Sequence, residues 1–251
     1  MFGGNKMQEQ YVSKVVMRRD KAPDFGRYPF SVPAVRGLSE LPLHKSVTFL
    51  VGENGTGKST LIEAIAICCG FNPEGGSRNF NFETYRSHSE LCDYLTLYKG
   101  VRHPRDGYFL RAESFYNVAT NIEHLDEGGM GTPIKCSYGG SLHEKSHGES
   151  FFALLMNRLG GHGLYIFDEP EAALSPRRQL AMLCRIDELV KRDSQLIIAT
   201  HSPILTAYPN SVIYELSAGG IHRREYEETD NFRVTKEFLN RYPRMLRELL
   251  D

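Results

Sequence analysis

Eight consecutive residues, Gly52-Glu53-Asn54-Gly55-Thr56-Gly57-Lys58-Ser59, combine three glycines, an ammonium and a hydroxyl in an order suited to holding phosphate. The glycines let the backbone turn so tightly that successive N–H groups face one anion. The start of a following helix adds roughly half a positive charge in the same direction. The Lys58 ammonium can reach the β- and γ-phosphates of a nucleotide, and the Ser59 hydroxyl can ligate Mg²⁺. Glu53, Asn54, Gly55, Thr56, Gly57 and Thr60 line the same cradle. A glycine-rich turn ahead of a helix, with no ligand, is the plainer alternative; the Lys-Ser pair in register argues against it.

Two further stretches carry chemistry. Leu164-Tyr165-Ile166-Phe167 is an apolar strand that ends in Asp168-Glu169, so two carboxylates emerge where ligands sit in a parallel sheet. Asp168 would hold Mg²⁺, directly or through water, and Glu169 would orient the attacking water or accept its proton. An Asp-Glu-Pro sequence can also simply cap the next helix. His201 follows the next buried strand, within Ala199-Thr200-His201-Ser202-Pro203, one strand–helix–strand crossover beyond Asp168. A neutral imidazole there could hydrogen-bond a γ-phosphate and report its presence.

The elements that must position these residues are legible as hydrophobic patterns. Val47 to Val51 is a continuous apolar strand, and Thr60 to Ile67 reads as the helix after the loop. A second helix is expected over 149–159 and a third over 176–190, with a buried strand over 195–200. Apolar strands alternating with helices argue a mainly parallel α/β sheet covered on both faces. Tyr11 to Met17 alternates as a strand, giving an antiparallel N-terminal β part. Residues 89–95 read as a weak helix, 107–111 as a short strand, and 126–148 as loop. The whole chain, 1–251, reads as one domain with a small inserted lobe over about 70–160.

Composition narrows the setting. The 251 residues are 41% hydrophobic and 24% charged with a net charge of −1, the balance of an ordinary globular protein and not that of an overtly basic nucleic-acid binder. There is no apolar run long enough to span a membrane and no signal-peptide core at the start, so the expected location is cytoplasmic without membrane insertion. Five cysteines show no Cys-x-x-Cys spacing, which fits reduced thiols.

Taken in order, the phosphate loop, the Asp168-Glu169-Pro170-Glu171-Ala172-Ala173-Leu174-Ser175-Pro176 run and Thr200-His201-Ser202-Pro203 resemble the ABC-type P-loop ATPases, in particular the SMC/RecF-like group without coiled-coil arms. The resemblance covers roughly residues 45–215. It implies binding and hydrolysis of ATP with Mg²⁺ and a sandwich of two copies, each completing the other's site. Lys145-Ser146-His147-Gly148-Glu149-Ser150 stands where the family carries its signature, with Ser146 and Gly148 matching and His147 departing. These residues precede a helix whose N-terminus would face the γ-phosphate held by the second copy. The loop that senses Mg²⁺ in the family carries glutamine; here Glu113 is nearest to that place. The partner acted on is a protein or DNA, with genome maintenance or phage defence as settings. A membrane transporter's ATP-binding subunit and a nucleotide-binding regulator with negligible hydrolysis are the alternatives.

Two features stay outside this scheme. Tyr28 or Phe30 could offer adenine a stacking face, although core packing is the expected role of both. Arg241, Arg244 and Arg247 recur on broadly one helical face near the C-terminus, a solvated face or a contact for DNA phosphates.

Overall fold

The computed structural model describes residues 10–21, 24–78, 89–127, 133–138, 140 and 147–250. Ten strands and seven α-helices are assigned among them. The strands are β1 (Val12–Met17), β2 (Glu40–Pro42), β3 (Val47–Gly52), β4 (Gly76–Ser77), β5 (Leu95–Lys99), β6 (Asp106–Arg111), β7 (Gly163–Asp168), β8 (Gln195–Ala199), β9 (Ser211–Ser217) and β10 (Gly220–Arg224). The helices are α1 (Pro33–Gly37), α2 (Lys58–Cys68), α3 (Phe115–Glu127), α4 (His147–Asn157), α5 (Pro176–Lys191), α6 (Pro203–Thr206) and α7 (Asp230–Leu250).

A seven-stranded sheet has the order β10-β9-β3-β8-β7-β6-β4. Its five central strands run parallel, from β9 through β3, β8 and β7 to β6, and the two edge strands are antiparallel. The period of two along each strand divides the apolar residues between two cores. Val47, Phe49, Tyr165, Phe167, Leu196 and Ile198 face one side, with apolar residues of α3, α4 and α5. Leu50, Leu164, Ile166, Ile197 and Ala199 face the other, with α2 and the smaller sheet. Burial on both faces is why β3, β7 and β8 read as unbroken apolar runs.

The smaller sheet, β2-β1-β5, is antiparallel throughout. One buried side chain joins it to the larger sheet. Gln195 accepts from the amides of Tyr11 (3.1 Å) and Val12 (2.9 Å) and donates to the carbonyls of Val12 (2.7 Å) and His44 (2.9 Å). Its amide thus meets its full hydrogen-bonding capacity out of water.

Helix boundaries follow local chemistry. α5 starts where Ser175 caps the amide of Arg178 and Pro176 takes the first helical position. The buried Arg185 of α5 donates to the carbonyls of Leu155 (3.0 Å) and Leu159 (2.6 Å), closing the end of α4. α4 itself begins at His147, two residues ahead of the expected helix.

Three local expectations need correction. The weak helix at 89–95 is a 3-10 turn, Glu90–Tyr94, that runs directly into strand β5. The stretch read as loop from 126 begins inside α3, whose Phe115, Val118, Ala119 and Ile122 pack on one core at helical spacing. The described part of the rest includes another 3-10 turn, Ile134–Tyr138. Tyr28 is 64% exposed, whereas Phe30 is fully buried against Tyr94. The phenol keeps its hydroxyl outside and the phenyl ring fills the core.

α7 leaves the body of the protein. It has no buried residue, and Phe238, Leu239, Tyr242, Leu246, Leu249 and Leu250 are exposed along it. Arg241 departs from helical geometry two residues ahead of Pro243, whose ring and missing N–H break the ladder.

Candidate nucleotide site

The site gathers where four parallel strands end. β3 delivers the loop at 52–57, β7 delivers Asp168 and Glu169, β8 delivers His201 and β6 delivers Arg111. These are the carboxyl ends of strands, where open α/β sheets place their ligands. β8 lies between β3 and β7, which puts His201 between the loop and the two carboxylates in strand order.

The loop's shape depends on glycine. Gly52 (φ 139°) and Gly57 (φ 101°) occupy the left-handed half of backbone space. A Cβ at Gly52 would stand 2.2 Å from the Leu216 carbonyl oxygen, and one at Gly57 would stand 2.4 Å from a Val32 methyl. Gly57 is also the cap of α2, and no side chain bonds the first-turn amides of that helix. Those amides, with the helix dipole behind them, form the anion-facing end of the element. Glu53, Asn54 and Gly55 are exposed at the turn, and Thr56 donates its hydroxyl to the Glu53 carbonyl at 2.8 Å.

Lys58 is buried and lies back over the loop, donating to the carbonyls of Gly52 (2.8 Å) and Glu53 (3.0 Å). Burial lowers its pKa, and the carboxylates of Glu169, Asp168 and Glu171 oppose that shift. Ser59 donates its hydroxyl to Asp168 Oδ1 at 3.2 Å. Asp168 is 5% exposed, and burial raises its pKa to about 7. Arg111 and the Ser59 hydrogen bond act against that rise, while Glu169 and Glu113 add to it.

Glu169 holds φ 51°, ψ 51°, a left-handed conformation that costs a non-glycine residue free energy and gathers at functional sites. Its amide donates to the Ala199 carbonyl (2.9 Å) before the chain turns sharply into Pro170. His201 Nε2 lies 3.4 Å from Glu169 Oε1, outside hydrogen-bonding geometry. The His201 amide donates to Glu171 Oε1 at 2.5 Å, and its carbonyl accepts from Asn231 Nδ2 of α7 at 3.0 Å.

The structure thus brings Lys58, Ser59, Asp168, Glu169 and His201 together. Glu113 stands at the rim, 85% exposed at its side chain, with its carboxylate 3.7 Å from Arg111. Thr60, in the first turn of α2, lies 3.5 Å from the hydroxyl of Tyr28. Gly148 packs against Ala173 and Arg178 at the start of α4; Ser146 falls outside the described residues. Three residues of the cluster escaped the sequence reading. Arg111 reaches Glu63 at 2.6 Å and Asp168 at 3.7 Å, and Glu171 holds the His201 amide. A charged residue closing an apolar strand was the available signal for Arg111, and its register partner on β7 is Asp168.

Two family models match the chain. One, an AAA domain, covers residues 29–117 and so spans the loop, α2 and β6. The other covers 150–207, with Asp168, Glu169 and His201; its description is an AAA domain linked to the AbiEii toxin of type IV toxin–antitoxin systems. Both matches are to AAA-domain models, the first over the phosphate loop and the second over the Asp168-Glu169 strand end. A search among curated proteins returned no match. Among solved structures, the SMC head domain from Thermotoga maritima is similar over 86% of this chain and all of that chain, at 16% identity and a TM-score of 0.46. CbiO1 from Clostridium perfringens, part of the ABC transporter complex cbiONQ, is 18% identical over 86% of this chain and 92% of its own, with a TM-score of 0.44. MJ0796, a bacterial ABC transporter cassette solved as a dimer, is 14% identical over 77% and 92%, with a TM-score of 0.42. No helix among the described residues is long and apolar enough to cross a membrane.

Proposed function

We propose that this protein binds ATP with Mg²⁺ and hydrolyses it between two copies of the chain. The observation that carries the reading is the Ser59–Asp168 hydrogen bond set beside Glu169 and His201 at the uncapped start of α2. The residues present fit the group. Buried polar atoms of Arg111 (Nε), His201 (Nε2) and Glu171 (Oε2) lack a hydrogen-bond partner among the described residues, so donors and an acceptor face a ligand there.

ATP bound with Mg²⁺ supplies a transferable phosphoryl group whose charge the cation helps to neutralise. The chain's own residues do the rest. Amides from Glu53 to Ser59, with Thr60 behind them, cradle the phosphates, and Lys58 exchanges its loop carbonyls for phosphate oxygens. Ser59 and Asp168 supply the hydroxyl and carboxylate that hold the cation, with Glu113 as a further carboxylate at the rim. Glu169 orients a water and takes its proton, and its strained backbone fixes where that carboxylate points. His201 donates toward the terminal phosphate. Gly148, packed against Ala173 and Arg178 at the start of α4, would together with Ser146 serve the site of a second copy. Closure of the pair then works as a switch on a partner.

The Glu169→Gln variant tests this reading. Sized by light scattering with ATP and Mg²⁺, it should run as a dimer, revert to monomer when Lys58→Ala is added, and show no turnover. A Glu169→Gln protein that keeps one mass with and without ATP would sink the two-copy site.

A further inference from the structure

We propose that a basic cleft at the amino ends of the large sheet's central strands binds the phosphodiester backbone of nucleic acid. Two adjoining cavities, of about 290 and 60 Å³, share Tyr11 and Arg102 as walls. They lie where β1 begins and β3, β7 and β8 start, at the far end of these strands from the nucleotide site. Lys45 and Arg102 line the larger, and Arg78, Lys99, Arg102 and His103 line the smaller.

The charge balance singles this place out. Among the described lining residues, four Lys and Arg side chains stand against one carboxylate, Asp193, in a chain whose net charge is −1. Asp193 is itself shared between Arg102 (3.5 Å) and His162 (3.6 Å). Lys45 and Lys99 are exposed and have no ion pair among the described residues.

The chemistry favours a linear polyanion read without regard to sequence. The cations come from separate segments and are divided between two adjoining cavities, Lys45 on one, Arg78 and Lys99 on the other and Arg102 on both, so the charge is spread over the cleft. Tyr11 is 6% exposed, which leaves no free aromatic face there for a base to stack on. Backbone contact without base readout is what remains. The alternative basic face, on α7, is weaker. Arg241 and Arg244 are engaged by Glu237 (3.7 Å) and Glu248 (2.7 Å) on the same helix.

The test is fluorescence anisotropy with a mixed-sequence 20-base-pair DNA duplex and no ATP, between roughly 50 and 200 mM salt. Each phosphate contact contributes a slope of about −0.9 in log affinity against log salt, so three or four contacts give about −3. Lys45→Glu with Lys99→Glu should lower affinity at least tenfold at the low salt and flatten the slope by about 2. Both positions are exposed, and circular dichroism checks that the fold is kept. Arg244→Glu with Arg247→Glu, and Lys58→Ala separately, should bind as the wild type. The proposal fails if the wild type does not bind the duplex at low salt, if the cleft variant binds unchanged, or if the α7 or Lys58 variant loses binding. It also fails if inorganic phosphate displaces the duplex better than chloride of equal ionic strength, which marks a small-anion site. Tighter binding of poly-glutamate than of the duplex would mark an acidic-peptide site instead. None of these outcomes depends on ATP hydrolysis.

Discussion

Ser59 and Asp168 stand 109 residues apart in the chain and meet through one hydrogen bond of 3.2 Å. The carboxyl end of β7 and the first turn of α2 are thereby joined at a buried carboxylate whose pKa is pushed up to about 7, chiefly by burial. The sign follows from linkage. An unfolded Asp titrates near 3.8, so the folded state binds its proton more tightly and gains stability at low pH. That gain fades as pH rises through about 7. Asp168→Asn should therefore melt higher than the wild type at pH 8 in metal-free buffer, with the difference shrinking toward pH 5. Each kcal/mol corresponds to roughly 2–4 °C in a chain of this size. Equal melting temperatures at pH 8 would remove burial of the charged carboxylate as a cost of the site.

Glu169 makes a second trade of stability against chemistry. Its left-handed backbone costs about 1–2 kcal/mol for a residue with a Cβ. Glycine removes that strain and adds about 0.5–1 kcal/mol of unfolded-state entropy. Glu169→Gly should accordingly leave chemical denaturation unchanged or raise stability by up to about 1.5 kcal/mol, while ATP turnover disappears. A clear loss of stability would show that the Glu169 side chain, not the backbone turn, holds this corner together.

How much of this was readable beforehand depended on what each residue faces. β3, β7 and β8 are buried on both sides, so Phe49, Ile166 and Ile197 stand in unbroken apolar runs that announce themselves. The loop and its helix are spelled out by Gly57, Lys58 and Ser59 in adjacent positions. β5 was hidden because Tyr98 and Lys99 are exposed and Thr96 only half-buried, which erases its alternation. α3 did carry a signal, Phe115, Val118, Ala119 and Ile122 at helical spacing, diluted by the polar Asn117, Thr120 and Asn121 between them. Arg111 belongs to the site only through β6 lying beside β7, a long-range pairing that no local pattern encodes.

Asp106 supports that same pairing from the other end of β6. Its carboxylate accepts from Arg158 (3.0 and 3.2 Å), the Tyr165 hydroxyl (2.8 Å) and the amides of Gly107 (2.8 Å) and Gly160 (3.3 Å). Burial would raise its pKa, but the Arg158 charge and these hydrogen bonds outweigh it and hold the group below its ordinary 3.8. The stability it contributes is present above pH 3.8 and lost as pH falls through the lower folded value. Asp106→Asn should cost about 2–4 kcal/mol at pH 7, since Arg158 is left without its anion. The variant's acid unfolding should also be shallower than the wild type's below about pH 4. Urea melts at pH 7 and pH 3 decide both points, and parallel acid limbs would assign the pH dependence to other carboxylates.

Asn231 ties the site to α7, the helix without a buried residue. Its side-chain amide donates to the His201 carbonyl at 3.0 Å, while neighbouring Asp230 offers its amide to Glu215 (2.8 Å) and Phe232 packs on Tyr226 with ring centres 4.6 Å apart. Those contacts root α7, and the residues from Lys236 to Leu250 are nearly all exposed. A shift of His201 on phosphate contact would pull on this root. Conversely, Asn231 fixes the backbone from which the imidazole hangs. Asn231→Ala removes one net hydrogen bond of about 1 kcal/mol, so turnover should fall about fivefold. Nucleotide affinity, set by the loop at 52–59, should stay within about twofold, because no phosphate-facing group is changed. Asn231→Asp, which lacks the donor, should match the alanine variant, and Asn231→Gln should recover part of the rate if its longer amide reaches the same carbonyl. Steady-state hydrolysis alongside fluorescent-nucleotide titration separates the two quantities. Equal turnover in all four proteins would mean that His201 is held by β8 and Glu171 alone, and that α7 takes no signal from the site.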